Sequence, residues 1–136
     1  MALIYKEIFI KAPAALVWDA VRDVGAVHTR LAPGVVVDTQ LEEGARVVSF
    51  ANGWVVRELI VDICDARQRL AYAYVGGQAT HHNASFQVFP DGAAGARLVW
   101  ITDVLPNEMA GQIEPLVELG SATMKRTLEG VASGVA

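Results

Sequence analysis

Residues 53–77, GWVVRELIVDICDARQRLAYAYVGG, decide how the chain folds. Two runs rich in β-branched and aromatic residues, Trp54–Cys64 and Gln68–Val75, flank a short polar turn, the pattern of two paired antiparallel strands. A carboxylate, Glu58, stands in the middle of the first run. An acid in so apolar a segment must face water or face an interior that has a use for it.

Working outward, Asn52-Gly53 precedes the first run, and both residues tolerate the positive φ of a two-residue type I′ turn. Such a loop pairs the upstream strand Arg46–Ala51 with Trp54–Cys64, setting Ala51 opposite Trp54, Ser49 opposite Val56 and Val47 opposite Glu58. Further strands are predicted at Leu3–Lys11, Val35–Glu42, His82–Phe89 and Ala96–Leu105, the last two joined by the turn PDGAAG. Between the first two strands, APAALVWDAVRDVG reads as a short helix with Leu16, Val17, Ala20 and Val21 at helical spacing. AVHTRLAP adds a second short helical piece before Pro33 and Gly34. After Pro106 the spacing of Met109, Ile113, Leu116, Val117, Gly120, Met124, Leu128 and Val131 predicts one long helix with a single apolar stripe. Pro115 should kink that helix or mark its true start. Strand, two short helices, six strands and a long helix make an α+β protein: a curved seven-stranded antiparallel sheet wrapped round the C-terminal helix, a helix-grip arrangement. A sheet of that width leaves room for a cavity under one helix.

Composition narrows the functions. The chain has 136 residues, enough for one domain spanning 1–136, and 53% of them are hydrophobic, an excess that should line a cavity or bury an interface. A formal net charge of −4 with scattered basic residues gives no footprint for nucleic acid. No apolar run reaches the about 18 residues of a membrane helix, and Lys6 and Glu7 interrupt any signal-like core, so a cytoplasmic protein is expected. The single cysteine, Cys64, reads as a buried small hydrophobe. His81 and His82 point to opposite faces of a strand, so metal binding is not expected, although one of them could reach a cavity mouth. His28 reads as a surface residue and Trp18 as helix core. No phosphate loop or catalytic triad appears, and no cofactor is expected.

APAALVWDAVRD, LAPGV, the 53–77 hairpin, RLVWITDVLP and PLVELGSATMKRTL together resemble the START-like (SRPBCC) superfamily, and within it the polyketide cyclase/dehydrase-type proteins. The resemblance spans nearly the whole chain. It implies the helix-grip fold strongly and a substrate only broadly, since the family includes cyclases, lipid carriers and hormone receptors. The hairpin also resembles that of the plant abscisic acid receptors, in which the acid matching Glu58 and the residues matching Tyr72, Tyr74 and Phe86 face the ligand cavity. The segments FANG and GQATHHN do not match the receptors' gating loops, so hormone binding is not implied.

Alternation assigns the inner face on two strands: Ala84, Phe86 and Val88 on one, and Leu70, Tyr72 and Tyr74 on the other. On Trp54–Cys64, pattern alone slightly favours burial of Val55, Leu59 and Val61, whereas the resemblance favours Val56, Glu58 and Ile60. Following the resemblance places the acid beside the two tyrosines. It leaves Val55, Leu59 and Val61, with Val48 and Phe50, as an outer apolar patch that would mark a homodimer or partner surface. Charge avoidance at Asp103 turns Trp100 inward, while Trp54 either caps the cavity or lies exposed. The expected ligand-binding set is Val56, Glu58, Ile60, Tyr72, Tyr74, Ala84, Phe86 and Trp100 from the sheet, with Ile113, Val117, Gly120 and Met124 from the helix. Glu58 inside should have a raised pKa and find donors. Glu58 and Tyr72 are the candidate catalytic pair if proton transfer occurs. The expected function is binding of a small, largely apolar ligand. The alternatives are a polyketide cyclase/dehydratase using Glu58 and a tyrosine, and a partner-binding protein using the outer sheet face.

Overall fold

The computed structural model describes residues 2–134. Its elements follow in the order β1 (Ala2–Ile10), α1 (Ala14–Arg22), a π-helical turn (Val27–Leu31), β2 (Val36–Glu42), β3 (Ala45–Phe50), β4 (Val55–Cys64), β5 (Arg69–Val75), β6 (His81–Asp91), β7 (Gly95–Leu105), a 3-10 turn (Asn107–Met109) and α2 (Ala110–Ala132). The strands form one seven-stranded antiparallel sheet, ordered β1-β7-β6-β5-β4-β3-β2. Its concave face holds α2, the helix-grip arrangement.

Local sequence explains most of these elements. On β6 and β5 the bulky alternating set is buried: Ala84, Phe86, Val88, Leu70 and Tyr72. In α1, Val17, Trp18, Ala20 and Val21 are buried. Trp18 Nε1 donates to Asp65 Oδ1 at 2.9 Å, and Arg22 Nε donates to the same oxygen, so the helix is pinned to the β4–β5 turn. Gly25 lies where a Cβ would fall 2.8 Å from a Leu41 methyl, and glycine is what permits that approach. The largest fully buried side chains are Val17, Val21, Val48, Leu70, Leu98, Val104 and Leu128. Each of these aliphatic side chains contributes about 1.5–3 kcal/mol.

Edge strand β1 is closed off by α2, where Lys125 Nζ donates to the Phe9 carbonyl at 2.6 Å and Glu129 Oε2 accepts from the Lys11 amide at 2.9 Å. These bonds occupy main-chain groups beside an edge that would otherwise invite another strand.

Several expectations need correction. The β3–β4 loop is longer by one residue: Phe50 N donates to the Trp54 carbonyl, Gly53 N donates to the Phe50 carbonyl, and only Gly53 (φ 96) takes positive φ. That is a turn closed by a left-handed glycine, the usual three-residue hairpin loop. The register therefore moves by one, with Arg46 opposite Glu58, Val47 opposite Arg57 and Val48 opposite Val56. Val48 and Phe50 consequently turn inward, Val48 fully buried and Phe50 packed against the core; they do not join Val55, Leu59 and Val61 on the outer face. Of the two placings open to it, Pro115 takes the one inside α2. The carbonyl it leaves without a partner, on Gly111, belongs to an exposed residue near the helix N-terminus, where water can reach it. Val131 is exposed because the stripe outruns the sheet, and Cys64, at the end of β4, is only half-buried.

Candidate functional site

Between the concave sheet and α2 lies a cavity of about 320 Å³. Apolar side chains make most of its wall: Val27 and Leu31 from the π-helical turn, Val48 and Phe50 from β3, and Ile113, Val117 and Met124 from α2. Trp54, Val55 and Gly76–Ala79 also border it. Trp54 is 40% exposed.

Four polar or aromatic polar groups are gathered in one row across the sheet. Register places Arg46 of β3 opposite Glu58 of β4, and Glu58 opposite Tyr74 of β5; His82 of β6 stacks on the Tyr74 ring at 3.7 Å between centroids, tilted by 16°. Strands lie about 4.8 Å apart, so these side chains form a rung roughly 14 Å wide. Arg46 Nε donates to Glu58 Oε1 at 2.6 Å, and both residues are only 3% exposed. The guanidinium also lies 4.9 Å over the Tyr72 ring, a cation–π contact.

The titration of this row follows from burial. Desolvation raises the Glu58 carboxyl above the ordinary carboxylate range, while the Arg46 charge and donors from Arg46 and Tyr74 pull it back without cancelling the rise. Burial also pushes both phenols up: Tyr74 well above its usual value, and Tyr72 likewise, with the nearby Glu58 charge adding to each. Both remain protonated donors at neutral pH. His82 is held down to about 4 by burial, so its ring is neutral near pH 7.

Of the residues expected to contact ligand, Val56, Glu58, Tyr72, Tyr74, Phe86, Trp100, Ile113, Val117, Gly120 and Met124 line the cavity. Ile60 and Ala84 do not: Ile60 is half-buried against the core just before a β-bulge at Ile60/Asp62, and Ala84, opposite Tyr72 in the register, is too short to reach past it. Trp100 lies inside, stacked on Phe86 at 4.7 Å and beneath Gly120, where a Cβ would fall 3.4 Å from its ring. The sequence reading missed Arg46 and Thr102, which also line the cavity. The alternation of Arg46, Val48 and Phe50 against Ala45, Val47 and Ser49 carried the signal, since the larger set is the inner one. His28 is half-buried, with Nδ1 3.0 Å from Thr39 Oγ1. Among the described residues no group of three His, Cys, Asp or Glu could hold a metal ion, and no helix is long and apolar enough to cross a membrane.

A helix gripped by a curved antiparallel sheet, enclosing an apolar chamber with one polar rung, defines a START-like protein. The chain belongs to the polyketide cyclase / dehydrase and lipid transport family, which it matches over residues 1–135. Solved structures share the fold. XoxI from Bacillus cereus superposes with a TM-score of 0.85 at 14% identity, covering 96% of this chain and 98% of that one. The Zhui aromatase/cyclase of a Streptomyces species gives 0.70 at 21% identity, covering 97% and 93%. Norcoclaurine synthase from Thalictrum flavum gives 0.72 at 19% identity, covering 96% and 92%. No curated protein matches the chain by sequence.

Proposed function

We propose that the chain binds one small, largely apolar molecule between its sheet and α2, with the molecule's polar end against the Arg46–Glu58–Tyr74 rung. The observation that carries this reading is the combination of an apolar chamber with a fully buried ion pair on its wall. Burying two charges costs several kcal/mol per ion, on the order of what one good pair returns. A fold seeking stability alone would put aliphatic side chains there, whereas a ligand site needs a fixed polar group to orient its guest.

The test is saturable binding of the apolar fluorophore N-phenyl-1-naphthylamine, with native mass spectrometry to count bound molecules. One molecule per chain is expected, with loss of binding in Val117→Phe, whose ring would occupy the chamber. Unsaturable binding, or binding unchanged by that substitution, would remove the reading.

A second reading is catalytic. The raised Glu58 carboxyl can exchange a proton nearer neutrality than a free glutamate does, beside protonated phenols. The family description and the aromatase/cyclase and norcoclaurine synthase folds support cyclisation or dehydration of an aromatic or polyketide-like substrate. Glu58→Gln discriminates, because the amide oxygen can still accept from Arg46 Nε while acid–base function is gone. An enzyme loses turnover with little change in affinity; a carrier changes affinity only.

A further inference from the structure

The polar rung does not account for every polar atom in the chamber. Trp100 is nine-tenths buried and lines the cavity, yet its indole Nε1 has no hydrogen-bond partner. An indole N–H can only donate, and a buried donor without an acceptor forfeits a hydrogen bond that water would have supplied. The Trp100 ring is held in place on both sides, by Phe86 stacked on it and by α2 at Gly120, so its donor cannot swing away to find relief. The Tyr72 hydroxyl lies close to the same indole N–H but outside the geometry of a hydrogen bond, and burial keeps that phenol protonated. Both residues line the cavity, and neither donor is consumed by the Arg46–Glu58 ion pair.

We propose that Trp100 Nε1–H and the Tyr72 hydroxyl form a donor pair for a single acceptor oxygen on the bound molecule. The chamber thereby selects flat apolar compounds bearing a ketone over hydrocarbons of the same shape. This rests on the ligand-binding reading above and adds to the rung a second polar contact beside it. Planarity follows from the walls: Tyr72, Phe86 and Trp100 form a stacked aromatic series with centroids 6.0 and 4.7 Å apart. A ring system can lie along that series with an oxygen directed at the donors.

The test compares 2-acetylnaphthalene with 2-isopropenylnaphthalene, in which a methylene replaces the carbonyl oxygen at nearly constant shape. The ketone is expected to bind about tenfold more tightly, the typical return on one well-placed hydrogen bond. In the wild-type protein labelled with nitrogen-15, the Trp100 indole N–H resonance is expected to move downfield with the ketone and not with the olefin. That measurement needs no variant to fold. Trp100→Phe and Tyr72→Phe should each bring the affinity ratio of the two probes toward one. Equal affinities with an unmoved indole resonance would overturn the donor pair and leave the cavity reading standing. Failure of both naphthalenes to bind would overturn the two together.

Discussion

At the scale of single residues, the site is governed by the Arg46–Glu58 pair. Removing one partner strands the other charge in a place it cannot leave, which costs about 3–5 kcal/mol, whereas removing both can cost little. Arg46→Met is therefore expected to destabilise the protein by about 3–5 kcal/mol in chemical denaturation, with the double substitution Arg46→Met/Glu58→Met recovering most of the loss. If the single and double variants are equally unstable, the two charges are not coupled as the 2.6 Å contact implies. At the other end of the rung, His82 offers a direct readout of burial. Its folded pKa is lowered to about 4 from the ordinary 6.5, so the unfolded chain takes up a proton that the folded chain refuses. The stability tied to the neutral ring is complete above pH 6.5 and drains away as pH falls toward about 4. Its NMR titration should show a midpoint near 4, and His82→Phe should flatten that part of the stability–pH profile. An ordinary histidine midpoint would mean that the ring is solvated.

At the scale of elements, the hairpin from β3 to β4 shows what the sequence reveals and where it stops. Strand and helix identities are legible where an element has one apolar face: Ala84, Phe86 and Val88 against Asn83, Ser85 and Gln87, or Ile113, Val117, Met124 and Leu128 along α2. Loop length was not legible. Asn52-Gly53 suits both central positions of a two-residue loop, but it also suits the last two places of a three-residue one, in which glycine alone takes positive φ. Only packing chooses between them, and the choice flips β3 face for face. It exchanges Val47 for Arg46 as the partner of Glu58, so the ion pair stayed hidden although both its residues were in plain view. On β4 it is resemblance, not alternation, that points Glu58 inward, since the strand's two faces are nearly equally apolar and a bulge at Ile60/Asp62 breaks the period. The left-handed closure makes Gly53→Ala a test of this loop: with φ at 96 and no atom within 4 Å of a built Cβ, the cost is backbone strain alone, about 1–2 kcal/mol. A two-residue type I′ loop would also penalise a side chain at residue 53, but it needs positive φ at residue 52 as well. Asn52→Ala separates the two geometries. Its cost should be limited to the bond from Trp54 N to Asn52 Oδ1, about 0.5–1.5 kcal/mol, without an added backbone penalty.

At the scale of the whole molecule, the chamber is a standing cost. Space without contacting atoms forfeits dispersion energy on every wall, and a protein selected only to stay folded would have filled it. Two substitutions of similar size should therefore have opposite consequences depending on where they fall. Val117→Phe, on the cavity wall, adds a ring where there is room, so the thermal midpoint should hold or rise while probe binding is lost, the exchange of function for stability expected when a site is plugged. Val17→Phe adds the same ring in α1, where Val17 is wholly buried and does not border the cavity; overpacking there typically costs about 1–3 kcal/mol, and the thermal midpoint should fall. The contrast separates a working chamber from loose packing in general. Were the interior merely under-packed, both variants would be tolerated alike, and were it solid, both would be destabilised. Only a void confined to the space beneath α2 makes the first benign and the second harmful, which two thermal melts and one binding curve per variant can decide.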